Sequence, residues 1–106
     1  MIIVTLHLKV APEKRLNALR IIHSMIGPTS VQSGCLFCNF YSSTQNDDEL
    51  ILMQKWKSQE KLDRYIRSDE FRKVLAAMET AKEPPELCFS EVVSTEGIEL
   101  VEKLLG

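Results

Sequence analysis

A chain of 106 residues has room for one domain with a single thin core, burying roughly two-thirds of its unfolded surface. With 44% hydrophobic and 26% charged residues the composition is that of an ordinary globular fold, and a net charge of -2 gives no electrostatic reason to expect nucleic acid or an anionic membrane. No apolar run is long enough to span a bilayer, and the start MIIVTLHLKV lacks the basic and small-residue features of a signal peptide, so a cytoplasmic protein beginning at Met1 is expected.

Residues 2–10 alternate, with Ile2, Val4, Leu6, Leu8 and Val10 on one face and Ile3, Thr5, His7 and Lys9 on the other, which predicts a strand with one wholly apolar side. Pro12 is placed to open a helix, in the first-turn position where a missing N–H costs least. Leu16, Leu19, Ile22 or His23, and Ile26 recur at helical spacing, and Gly27-Pro28 should stop the helix. A second strand is predicted over residues 35–42, then a polar turn, STQNDDE, and a third strand over residues 50–56 that pairs with it as a hairpin.

Ser58 can cap the next helix, whose buried stripe should hold Leu62, Tyr65 and Ile66. Ser68 resembles a second cap where the helix bends or restarts, and Phe71, Val74, Leu75 and Met78 continue the stripe. Pro84-Pro85 ends helical structure and residues 87–94 read as a fourth strand. In the tail, residues 95–106, Ile98, Val101 and Leu104 at helical spacing predict a short helix docked on this domain or on a partner.

Three cysteines make an odd count, which argues against a secreted disulfide framework. Cys35 and Cys38 form a C-x-x-C, but residues three apart in a regular strand lie roughly 10 Å apart on opposite faces. A disulfide needs Cα atoms within roughly 7 Å, so two buried thiols are the expected reading and a redox pair the lesser one. Asp47-Asp48-Glu49 lacks the spaced oxygen ligands of a calcium loop, and no metal site is expected.

The order is β-α-β-β-α-β plus a tail, an α+β chain in which two helices cover one face of a four-stranded antiparallel sheet in a ferredoxin-like arrangement. The second face carries Phe, Tyr, Ile and Met and needs a cover, for which a twofold-related copy is the physical expectation.

Residues at several positions resemble the antibiotic biosynthesis monooxygenase family. Ser33-Gly34-Cys35 precedes the second strand where the family often has Glu-Pro-Gly-Cys. Trp56, Ser58 and Glu60 form a W-x-S-x-E, Leu62 follows, and Ser68 and Phe71 match a closing S-x-x-F. The resemblance implies a dimeric α/β barrel of ferredoxin-like subunits. It also implies a pocket between sheet and helices in which a quinol or anthrone-like aromatic loses a proton and reacts directly with dioxygen, with no cofactor. Departures from the pattern are as informative. Tyr65 and Glu70 stand where many relatives have histidine, Gln54 stands where glutamate is common, and residues 74–78 lack the histidine that haem-degrading relatives use.

On that resemblance Trp56 is a pocket wall or, alternatively, a plug at the strand-to-helix corner. Tyr65 could donate a hydrogen bond to a substrate oxygen or, alternatively, pack on the helical stripe with its hydroxyl at the rim. His7 could act as base, because histidine is the side chain that ordinarily changes charge between pH 5 and 8, or could equally be a histidine satisfied in the dimer interface. Thr5, Asn39, Leu75 and Met78 complete the expected substrate contacts, and His23 is read as a surface or packing residue. The alternative to an enzyme is a non-catalytic homodimer that binds a small apolar or aromatic ligand.

Overall fold

The computed structural model describes all of residues 1–106. Strand β1 (Ile2–Lys9) leads through a 3-10 turn (Pro12–Lys14) into helix α1 (Arg15–Ser30). Strands β2 (Cys35–Ser42) and β3 (Glu49–Trp56) form the hairpin, helices α2 (Gln59–Ile66) and α3 (Phe71–Met78) follow, and β4 (Glu86–Glu91) and α4 (Ile98–Leu105) complete the chain. The sheet order is β2-β3-β1-β4 with every neighbouring pair antiparallel, so the chain has the α+β ferredoxin-like fold. Parallel strands β1 and β2, joined through α1, are separated by β3, the split crossover of this fold.

Alternation in β1 sets the layers. Ile2, Val4, Leu6 and Leu8 are buried under the helices, and Leu6 stands opposite Leu52 on one side and Leu87 on the other. The odd residues point to a face that nothing in the chain covers.

The helices differ from the sequence expectation in ways that have local causes. Helix α1 continues through Gly27-Pro28 to Ser30. Proline at 28 cannot donate to the carbonyl of Ser24, but Lys73 Nζ reaches that carbonyl at 3.4 Å, and Gly27 has no Cβ to crowd the proline ring. The buried stripe of α1 is Ala18, Ile22, Met25 and Thr29, which turns Leu16 out to solvent. Ser58 caps α2, accepting from Lys61 N at 3.3 Å. Ser68 marks the break before α3 but does not cap α3. Its hydroxyl donates to Tyr65 O at 2.6 Å and so closes the end of α2. Ile66 and Leu75 lie outside the stripe, which is Leu62, Tyr65, Phe71, Val74 and Ala77. Strand β4 stops at Glu91, three residues short of the expected end, with one more ladder bond from Val92 N to Met1 O at 2.8 Å.

A β-bulge between Cys35 and Phe37 overturns the expectation for the C-x-x-C. Cys35 pairs with Trp56 and Cys38 with Gln54, so the extra residue, Leu36, returns both cysteines to the helix-covered face. Gly34 makes the turn into this bulge at φ 85°, and its carbonyl accepts from Lys57 N at 2.8 Å. A Cβ at Gly34 would meet Lys61 Cβ and Cγ. Replacing Gly34→Ala is therefore expected to lower stability by about 1–2 kcal/mol, from the left-handed backbone alone. An unchanged urea midpoint would contradict this placement of the turn.

Candidate functional site

Between sheet and helices the interior is filled. Trp56 has 0% exposure and Tyr65 1%, and their rings stack with centroids 4.5 Å apart. Gln54, 1% exposed on β3, bridges them: Trp56 Nε1 donates to its Oε1 at 3.0 Å, and its Nε2 donates to Tyr65 Oη at 2.9 Å. Phe71 packs edge-on against Tyr65 at 5.5 Å. Burying an amide without partners costs a few kcal/mol, so this closed pattern of donors and acceptors is what allows glutamine in the core. The Thr29 hydroxyl is close enough to Tyr65 to favour its ionised form, yet it makes no hydrogen bond of normal geometry and remains a buried oxygen without a partner.

Burial dominates the titration of this region. It raises the Tyr65 phenol above its ordinary value, against the opposing effects of Thr29 and Gln54. It also pushes the Cys38 thiol from 9.0 up to about 11, with the neighbouring Cys35 adding to the shift. Cys35 is likewise raised, mainly by burial, and its thiol donates to Phe37 O at 3.5 Å. Thiols held neutral in this way are poor nucleophiles.

The molecule's two hollows lie on the opposite, open face of the sheet. One, of about 150 Å³, is lined by His7, Lys9, Glu49, Glu83, Pro84 and Glu86. The other, of about 90 Å³, is lined by His7, Tyr41, Ser42, Ser43, Glu49 and Ile51. They meet at His7 and Glu49. The register explains the gathering: His7 stands across from Glu86 on β4 and Ile51 on β3, while Tyr41 pairs with Ile51 from the other side. Lys9 lies 3.2 Å from Glu83 and 3.8 Å from Glu49, and Glu83 foremost raises its pKa. No three His, Cys, Asp or Glu side chains gather closely enough to hold a metal ion.

The expected site residues therefore divide among three places. Thr5, His7 and Asn39 are on the open face, where Asn39 Oδ1 accepts from Phe40 N at 2.8 Å. Trp56 and Tyr65 are sealed in the core on the other side of the sheet. Leu75, exposed on the outer side of α3, and Met78, half-buried, line neither hollow. His7 and Tyr65 thus share no pocket, because consecutive strand residues face opposite ways and His7 is out of phase with the residues that touch the helices. His23 packs edge-on against Phe40 at 4.8 Å. Sequence reading noted Gln54 only as a departure from the family pattern and gave Tyr41, Glu49 and Glu86 no part in a site. Their signal was parity, since a glutamine between Leu52 and Trp56 falls on the buried face and must find partners there.

A family model described as antibiotic biosynthesis monooxygenase matches residues 1–77. The chain belongs to the antibiotic biosynthesis monooxygenase family. A conserved protein of Methanosarcina mazei Go1 shares 27% identity and a TM-score of 0.78, covering 85% of this chain and 90% of that one. Rv0793 of Mycobacterium tuberculosis superimposes with a TM-score of 0.81 at 21% identity, covering 91% and 98% of the two chains. The uncharacterized protein sll1783 of Synechocystis sp. is 22% identical over 96 residues, 90% of this chain, and the chain spans 65% of that relative's length. No helix is long and apolar enough to cross a membrane.

Because folding raises the pKa of Cys38 and Tyr65, both contribute stability that is fully present below their unfolded values and lost as pH rises through the folded ones. The urea midpoint is expected to fall between pH 9 and about 11, where Cys38 titrates, and Cys38→Ala should remove part of that fall. In the native protein at pH 8 a thiol reagent should leave Cys38 unmodified until the chain unfolds. Early labelling of Cys38 would contradict its burial.

Proposed function

We propose that this chain is a cofactor-independent monooxygenase for a small electron-rich aromatic of the quinol or anthrone class, working at the open sheet face as a homodimer. The observation that carries the reading is the meeting of both hollows at His7, beside the wall formed by Tyr41 and Ile51. Each hollow is smaller than the about 300–1,000 Å³ usual for a ligand pocket, and a second copy laid over the face would supply the missing wall.

In this reading His7 takes a proton from the substrate, and the resulting anion passes electrons to dioxygen. For an anthrone-like CH₂ the balance is CH₂ + O₂ → C=O + H₂O: a C=O double bond and the two O–H bonds of water form, two C–H bonds and the O–O bond break, the ring carbon is oxidised and dioxygen is reduced. Exclusion of water by the covering copy favours the charge transfer. Thr5 and Asn39 are neighbours that could orient the substrate oxygen. Tyr65 and Trp56 hold the fold and do not touch the reacting atoms. The Trp56 N–H is spent on Gln54 Oε1, and Tyr65 Oη accepts from Gln54 Nε2 in the buried core.

A second reading, a non-catalytic homodimer that binds a small aromatic, rests on Glu70 and Tyr65. At these positions, where relatives often carry histidine, Glu70 is paired with Lys73 at 3.0 Å and Tyr65 is locked in the core. Oxygen uptake with a panel of quinols and anthrones separates the two. The first reading expects steady uptake that His7→Ala lowers by about 10²–10⁴-fold in kcat/KM, the usual weight of a general base. Uptake unaffected by His7→Ala would refute the role of His7, and saturable binding without uptake would establish the second reading.

A further inference from the structure

Helix α4 has an apolar side with nothing against it. Ile98, Val101 and Leu105 fall on one side of the helix and Leu100 and Leu104 beside them, while Glu99, Glu102 and Lys103 occupy the other. No residue of α4 is buried, and Leu104 and Leu105 are 74% and 84% exposed. Residues 92–97 hold it away from the sheet and helices. The chain's radius of gyration is 15.6 Å, against about 13 Å for a compact domain of this length. Five large apolar side chains on an eight-residue helix do not remain in water without cost.

Three observations identify the cover. First, the arm leaves the sheet at the end of the open face that carries Ile3 and Phe37. Glu91 and Ile2 are cross-strand partners, Val92 continues their ladder, and the adjacent row is Ser90, Ile3, Lys55 and Phe37, with the Lys55 ammonium over the Phe37 ring. The opposite end of that face is the polar group around His7, Lys9 and Glu49.

Second, the sheet face alone is small for a stable pair. Three strands of eight residues and one of six, about 4.8 Å apart with about 3.3 Å per residue, give a face of about 480 Å², against about 800 Å² per partner in a standard interface. Only part of that face is apolar, and α4 makes up the difference. Third, the arm carries Glu96, Glu99 and Glu102 against a single Lys103, the wrong sign for an anionic lipid surface.

We infer that α4 is a dimerisation arm whose apolar side packs on a second copy of this chain, beside the Ile3–Phe37 end of the open sheet face. The inference rests on the reading that a second copy covers that face.

Sedimentation velocity over a concentration series tests it with three proteins: the natural chain, the double variant Val101→Glu with Leu104→Glu, and Phe37→Glu on the sheet. Because no residue of α4 is buried in its own chain, the arm variant should keep the circular dichroism and melting profile of the natural protein. The expected result is a natural dimer and an arm variant whose dimer dissociation constant rises at least tenfold. An arm variant that dimerises with an unchanged constant, while Phe37→Glu falls apart, would overturn the arm and leave the sheet-to-sheet dimer standing. A natural chain that is monomeric at every concentration would overturn both. Co-sedimentation with phosphatidylserine-containing vesicles, lost in the arm variant, would overturn the inference by assigning α4 to a membrane.

Discussion

The hydrogen-bonded set Trp56, Gln54 and Tyr65 is the constraint on which the rest of this structure depends. It joins β3 to α2 across the core and satisfies the polar atoms of three large side chains in a region from which water is excluded. Inside the protein such bonds are strong, and leaving any one of them unmade costs about 1–3 kcal/mol. The set also occupies space. With an indole, a phenol and an amide in contact there, the layer between sheet and helices is closely filled, and both hollows of the chain lie on the other side of the sheet.

What stands on that other side follows from the two-residue repeat of β1. The phase that buries Leu6 and Leu8 brings His7 and Lys9 to the open face, and the antiparallel register adds Glu49, Ile51 and Glu86 next to them. The result is a graded surface. One end carries Ile3 and Phe37 with Lys55 between them, the other gathers His7, Lys9, Glu49 and Glu86, and the two hollows occur at the second end. A covering copy would gain its stability at the first end and enclose the hollows at the second. The same geometry gives α4 a place, because the arm emerges beside the first end.

Much of the fold could be read from the sequence because period and punctuation are local signals. The alternation of β1, the Ser58 cap and the break near Ser68 are all where the residues indicate, and the tail is helical as its spacing predicts. The failures have a shared physical character: at each one a distant group changes a local preference. Lys73 relieves the carbonyl that Pro28 leaves free, so α1 continues past the proline. A bulge at Leu36 inverts the phase of Cys35, and no strand repeat reveals a bulge. Ser68 serves the helix before it instead of the one after it.

The site was less legible for the same reason. His7, Thr5 and Asn39 were recognisable by residue type, but their position relative to Tyr65 depended on which face the helices cover. The resemblance implies a pocket on the covered face, where Gln54, Trp56 and Tyr65 are hydrogen-bonded to one another. The most direct test of this account is a two-dimensional NMR titration of the native protein with a soluble quinone. The account predicts that signals of His7, Tyr41 and Ile51 shift on binding while the Trp56 indole N–H stays in place. Shifts centred on Trp56, Leu62 and Tyr65, with His7 unmoved, would contradict it and return the site to the layer between sheet and helices.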